Sequence, residues 1–154
     1  MAVKPIPDGY HTVTPYLTLN DPEQVINFLK KAFDAQEIFV MRNEKGKVGH
    51  AEVKIGTSII MVGAARDQWK ARPGNFYLYV EDVDAAYKKA IAAGGKSISE
   101  VETQFYGDRH GGVEDSEGNN WWVATHVEDV PPEELGRRAK EAEKKRAATA
   151  EQAK

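Results

Sequence analysis

His50 and Glu52 stand two apart in the alternating run His50-Ala51-Glu52-Val53-Lys54-Ile55. On an extended strand both side chains leave the same face. An imidazole beside a carboxylate has the makings of a general acid–base pair; with His11 or His126 added it becomes a set of divalent-metal ligands. The plainer and commoner arrangement is a polar pair on a solvated sheet face. Arg109 sits in a Gly-rich stretch between Asp108 and His110. Its planar fork suits bidentate capture of a carboxylate or phosphate, or an ion pair to Glu114 or Asp115 that pins the loop. Gly111-Gly112 is too short for a phosphate loop, and no Ser lies in a Gly-flanked elbow. No catalytic residue is assigned; His50 and Glu52 are the candidates.

These groups belong to a 154-residue chain, enough for one domain or two small modules around a shared core. There are 21 basic and 24 acidic residues, a net charge of −3, so no field draws the chain to nucleic acid or an anionic membrane. Cysteine is absent, which excludes disulfides, thiolate metal sites and cysteine nucleophiles. The first residues carry no apolar targeting core and no run has membrane-spanning length, so the expected location is cytoplasmic.

One stretch occurs twice. Tyr16-Leu17-Thr18-Leu19-Asn20-Asp21 returns as Tyr77-Leu78-Tyr79-Val80-Glu81-Asp82, 61 residues on. Each copy alternates, ends at an Asp and opens into a helical pattern, as expected of a duplicated module. The first copy predicts a strand over His11–Leu19, with Val13, Leu17 and Leu19 on one face and Pro15 marking an edge or irregularity. A helix follows near 22–33, then strands at Glu37–Met41, His50–Ile55 and Ser58–Val62. The second copy repeats the order, with a helix over about 83–93. Its later strands are Lys96–Val101, a short one at Gly112–Asp115, and Trp121–His126, with a turn-rich loop at Phe105–Arg109. The fold class is α+β: two tandem βαβββ modules forming a curved mixed sheet with a concave cavity, plus a C-terminal helix. The divisions expected are an arm at 1–10, modules at 11–63 and 74–128, a connector at 64–73, and a helix and tail at 129–154. That last helix has no strong apolar stripe and reads as solvated, with a dimer-locking arm as the alternative. Trp69 in the connector suits a lid or a dimer contact.

The plan resembles that of the vicinal oxygen chelate superfamily: glyoxalase I, bleomycin resistance proteins and extradiol dioxygenases. The likeness lies in Pro15–Asp21, His50–Gly56, Phe105–Arg109, Val113-Glu114-Asp115 with Gly118, Trp121-Trp122 and Ala124-Thr125-His126. Together these are similar to the PhnB-like branch, over about residues 8–135. Metal-dependent members place four ligands in the cavity, one on the first and one on the fourth strand of each module. The resemblance puts these positions at Thr14, Met61, Asn75 and Trp122. None is His, Glu or Asp, and a hydroxyl, a thioether, an amide and an indole are poor ligands for a divalent metal. It therefore implies a metal-free member. It also implies a homodimer, since superfamily members often complete their grooves across subunits.

With helices over one face, the other carries Thr14, Tyr16, Thr18, His50, Glu52, Lys54, Met61, Asn75, Tyr77, Tyr79, Trp122 and His126. This aromatic, amphipathic lining suits a small, partly aromatic molecule held by stacking and a few hydrogen bonds. The expected binding residues are Thr14, Tyr16, Glu52, Met61, Asn75, Tyr77, Tyr79, Arg109 and Trp122. Trp121 and Trp122 point to opposite faces, so only one can touch a ligand. Two alternatives stand: a glyoxalase- or dioxygenase-type enzyme using a divalent metal in a site displaced to His50, Glu52 and either His11 or His126, and a protein-interaction module.

Overall fold

Each copy of the repeated stretch becomes a strand leading into a capped helix. The computed structural model describes residues 3–152. The first module holds β1 (Tyr16–Leu19), α1 (Pro22–Phe33), β2 (Gln36–Arg42), β3 (Val48–Ile55) and β4 (Ser58–Ala64). The second holds β5 (Asn75–Tyr79), α2 (Val83–Ala92), β6 (Lys96–Thr103), β7 (Asp108–Glu114) and β8 (Asn120–His126), and α3 (Pro132–Gln152) follows. The Asp21 carboxylate accepts from the Gln24 N–H at 3.2 Å and that of Asp82 from Ala85 at 3.0 Å. These bonds satisfy helix-end donors that have no partner within the helix. Pro22, at the first helical position, has no N–H to leave unpaired.

The fold is α+β, two βαβββ modules in tandem. Its strands form two four-stranded mixed sheets, ordered β1-β4-β3-β2 and β5-β8-β7-β6. In each, the first and fourth strands run parallel and the other pairs antiparallel. β1 and β5 are therefore edge strands.

Three expectations are corrected. β1 starts at Tyr16 instead of His11, and Val13 is 81% exposed instead of core. Pro15 cannot donate to a ladder, and upstream of it the Thr14 hydroxyl bonds the His11 carbonyl at 3.2 Å. β7 starts at Asp108, so the expected loop at Phe105–Arg109 gives its last two residues to a strand. Gly111 and Gly112 are strand residues that make room. A Cβ on Gly111 would meet Val101 at 2.8 Å, and one on Gly112 would meet the Trp122 ring at 2.8 Å.

α1 and α2 pack on each other, and each covers the near face of its own sheet. Val25, Ile26 and Leu29 of α1 and Val83 and Ala90 of α2 are buried there against Leu17, Val53, Val62, Val113, Trp121 and Val123. Trp121 ties the modules together: its ring stacks on Phe76 at 4.4 Å between centroids and meets Phe33 of α1 at 6.0 Å. Two polar links span the same seam. Lys89 pairs with Asp34, and the Glu117 carboxylate accepts from the backbone N–H groups of Asn20 and Asp21 at 3.0 and 2.8 Å. With the helices between the modules, the far face of each sheet is left open. α3 has no buried residue and is held at its near end, where Arg138 bonds Glu128 and Glu134. Among the described residues no helix is long and apolar enough to cross a membrane.

Trp121 is in turn fixed by a buried carboxylate. Asp115 accepts from the Trp121 indole N–H at 2.8 Å, the Asn119 amide at 2.9 Å, and the backbone N–H groups of Glu117 and Asn119 at 2.9 and 3.0 Å. Removing it leaves several buried donors unpaired. Asp115→Ala is therefore expected to cost about 3 kcal/mol of unfolding free energy in urea titration. A loss below about 1 kcal/mol would show that the turn keeps its shape without the carboxylate.

Candidate functional site

Cross-strand partners in a sheet share a face, so the register lays out the open faces row by row. In the first module one row is Tyr16–Met61–Glu52–Phe39 and the next is Thr18–Gly63–His50–Met41. In the second, Tyr77–Trp122–Gly112–Ser99 is followed by Tyr79–Ala124–His110–Glu102, with Asp108 opposite His126 beyond. The rows superpose in order, so a Tyr–His pair occurs twice. Tyr16 Oη lies 3.4 Å from His50 Nδ1, and Tyr77 Oη lies 3.2 Å from His110 Nδ1.

The second module builds the denser site. Asp108, 5% exposed, accepts from Tyr79 at 2.9 Å, Tyr77 at 3.1 Å and His126 Nδ1 at 2.8 Å. His126 Nε2 meets Asp129 at 3.0 Å. Tyr106 Oη lies 3.3 Å from His110 Nδ1. The Trp122 ring sits over the bare backbone of Gly112 and against His110, 5.3 Å between centroids. Burial raises the pKa of Asp108, but the hydrogen bonds from His126, Tyr79 and Tyr77 more than offset this and hold it below the ordinary carboxylate value. Asp108 and Asp129 hold the His126 pKa up. Burial pushes His110 down against the opposing pull of Asp108 and Glu102, so it stays neutral at pH 7. Burial, Tyr106 and Asp108 all raise Tyr77, and the bond to Asp108 raises Tyr79. The result is a fixed aromatic surface with one buried anion, one neutral imidazole and one imidazole held by two carboxylates.

The first module's face mixes Glu52 and His50 with apolar groups and is partly covered. Phe39 and Met41, 49% and 54% exposed, line it from β2. The N-terminal arm lies across it: Tyr10 donates to Glu52, and Gly9 lies against Ile59. The Glu52 bond, the first cause, pushes Tyr10 up to about 12. Under the arm is a cavity of about 500 Å³ lined by Tyr10, His11, Thr14, Glu52 and Met61, among others. A larger cavity, about 750 Å³, lies on the helix side along the β5 edge, bounded by Phe33, Ile60, Phe76, Leu78, Val80 and Lys89. It is mostly apolar, and Tyr77 and Tyr79, which donate to Asp108, also border it.

Of the residues expected to bind, Tyr16, Glu52 and Met61 share the first open face, and Tyr77, Tyr79, Asn75 and Trp122 the second. Thr14 lies under the arm beside Met61. Arg109 is corrected: it stands on the helix side of β7, where Asp84 of α2 takes it in two bonds of 2.8 and 2.7 Å. Neighbours on a strand alternate in face, so Arg109 points away from Asp108 and His110. The displaced metal site is not assembled either. His50 Nε2 is 3.9 Å from Glu52, but His11 meets the Thr57 carbonyl and His126 lies between Asp108 and Asp129. Among the described residues no group of three His, Asp or Glu is placed to hold a metal. Thr14, Met61, Asn75 and Trp122 are an unsuitable donor set for a divalent ion. Sequence reasoning missed Phe39, Met41, Tyr106, Asp108 and His110 as site residues. The signal was the alternation Asp108, His110, Gly112, which two adjacent glycines disguised as a loop.

The histidine shifts make a signed prediction. A group whose pKa is raised on folding stabilises fully below its unfolded value, about 6.5, and loses that contribution as pH rises through the folded value. The stability gap between the native chain and His126→Gln should therefore be widest below about pH 6.5 and shrink above it, as read from urea midpoints across pH. A gap that does not change with pH would sink this assignment.

A family model described as the Glyoxalase/Bleomycin resistance protein/Dioxygenase superfamily matches residues 10–123. An uncharacterized protein of Mycobacterium bovis is 31% identical over 134 residues, covering 80% of this chain and 88% of its own. A counterpart in Mycobacterium tuberculosis is also 31% identical, with 80% and 79% covered. Solved structures sharing the fold include TioX from a Micromonospora species, with a TM-score of 0.67 at 22% identity over 76% of this chain and 99% of that one. A PhnB protein from Bacillus cereus, described as a putative 3-demethylubiquinone-9 3-methyltransferase, gives 0.61 at 18% identity over 75% and 99%. A glyoxalase-related enzyme from Clostridium phytofermentans gives 0.61 at 16% over 79% and 100%. Paired βαβββ modules and the family match over residues 10–123 agree: the chain belongs to the Glyoxalase/Bleomycin resistance protein/Dioxygenase superfamily.

Proposed function

We propose that this chain binds a small, partly aromatic molecule on its concave faces, without a divalent metal at the superfamily's four ligand positions. The observation that carries the reading is the second open face. Trp122, Tyr77, Tyr79, Tyr106 and His110 form a rigid aromatic patch whose polar atoms are already oriented by Asp108. Preformed apolar surface with a few placed hydrogen-bonding groups is what a small-molecule site requires. The cytoplasm is the compartment in which we place this activity.

The same reading includes a homodimer. β1 and β5 end their sheets, with the Arg72 N–H donating to the Thr18 carbonyl of β1 at 3.3 Å, and the cavity of about 750 Å³ runs along β5. A second copy setting its β1 edge there would cover Phe76, Leu78 and Val80. It would also bring Thr14 and Met61 of one copy toward Asn75 and Trp122 of the other. Asn120 Oδ1, opposite Asn75 in register, is buried without a hydrogen-bond partner, an acceptor that an arriving donor would satisfy.

A thermal-shift screen of aromatic compounds tests the binding, since a ligand selective for the folded state must raise the melting temperature. A stabilising compound should lose about tenfold or more in affinity on Trp122→Ala, for the lost stacking surface. Titration calorimetry showing equal affinity for both proteins would place the ligand elsewhere. Light scattering should give twice the chain mass, and metal analysis of untagged protein should find no stoichiometric divalent ion. A bound metal lost on His50→Ala would overturn the metal-free reading.

A further inference from the structure

We infer that His110 is held with its proton on Nδ1, so that its bare Nε2 is the acceptor for an N–H or O–H on the edge of an aromatic ligand stacked on Trp122. The inference rests on the ligand-site reading above and narrows its ligand class to flat aromatic molecules with a ring-edge donor.

The argument is an inventory of protons. Tyr77 has one hydroxyl hydrogen and two partners, Asp108 Oδ2 at 3.1 Å and His110 Nδ1 at 3.2 Å. An ionised carboxylate is the stronger acceptor, so the proton goes to Asp108. Tyr77 then faces His110 with lone pairs only. Were Nδ1 also a lone pair, two acceptors would oppose each other at hydrogen-bond distance. A proton on Nδ1 turns this contact into a bond. Tyr106, 3.3 Å from the same nitrogen, offers a second oxygen lone pair, so one Nδ1 proton faces both hydroxyl oxygens. The Tyr77 hydroxyl and the His110 Nδ1–H then each have an acceptor. In a neutral imidazole the second nitrogen is left bare. His110 Nε2 has no partner among the described residues, and the buried side-chain atom without a partner is Asn120 Oδ1, so Nε2 reaches solvent. The first module lacks this device. Its Tyr16–His50 pair has no acid corresponding to Asp108, because Val48 stands two residues before His50 where Asp108 stands two before His110.

Two measurements test this. Long-range nitrogen–proton NMR on histidine-labelled protein near neutral pH should show His110 protonated on Nδ1. Tyr77→Phe, which removes the Tyr77 oxygen and leaves Tyr106 to donate, should move the proton to Nε2. Asp108→Asn should do the same, and Tyr77→Phe keeps the test open if that variant does not fold. An Nε2-protonated His110 in the native chain overturns the inference. The second measurement compares indole with N-methylindole, followed by ring shifts of Trp122. Indole should bind about tenfold more tightly, the worth of one hydrogen bond, and His110→Phe should erase the preference. Equal binding of both probes to the native chain overturns the acceptor role while leaving the aromatic site standing. Failure of both to bind overturns the site itself.

Discussion

A pleated strand sends neighbouring side chains to opposite faces, and β8 turns that constraint into a division of labour. Trp121 goes inward, stacked on Phe76 and bonded to Asp115; Trp122 goes outward over Gly112. Because Trp121 is anchored on three sides, the register of β8 cannot slip without tearing a buried indole from its carboxylate. Every other position on the open face inherits its place from this anchor. Ala124 and His126 continue the outward row, and Tyr77 and Tyr79 are set against it by the parallel pairing of β5. The folding core and the candidate site are thus two faces of one strand.

Asp108 plays the same role for the polar part of the site. A carboxylate at 5% exposure is costly unless it is bonded, and three donors converge on it. Those bonds restrict the rotation of Tyr77, Tyr79 and His126. Order at the site is therefore a consequence of solvating one buried charge with protein groups. Water could do this only by opening the cluster, so the ordering entropy of this surface is already spent on folding.

The doubling of the fold was legible because β1, α1 and β4 recur at a constant offset of 61 in β5, α2 and β8. The Asp caps, the face of β3 and the two opposed tryptophans could all be read from it. The Tyr–His duplication could not. His50 and His110 are 60 residues apart, since the second module is a residue shorter before β7 and regains it in the Asp115–Asn119 turn. Arg109 was misplaced for a related reason. Glycine carries no hydrophobic signal, so Gly111-Gly112 hid the strand whose alternation would have sent Arg109 toward α2. Val13 failed differently: Pro15 ended the ladder before reaching it, so alternation there marks no buried face.

Duplication leaves two equivalent faces, and the chain has used them differently. On the first, Tyr10 from the arm bonds Glu52, so a surface that could hold a ligand is partly occupied by the chain's own backbone. On the second, no described segment crosses the rows, and the position matching Glu52 is Gly112, whose missing side chain lets the Trp122 ring lie flat. Exchanging a carboxylate for a glycine converts a polar sheet face into a stacking platform. The accompanying exchange of Val48 for Asp108 supplies the anion that orients the hydroxyls around it. Two substitutions at equivalent positions therefore account for most of the chemical difference between the faces, with the scaffold unchanged.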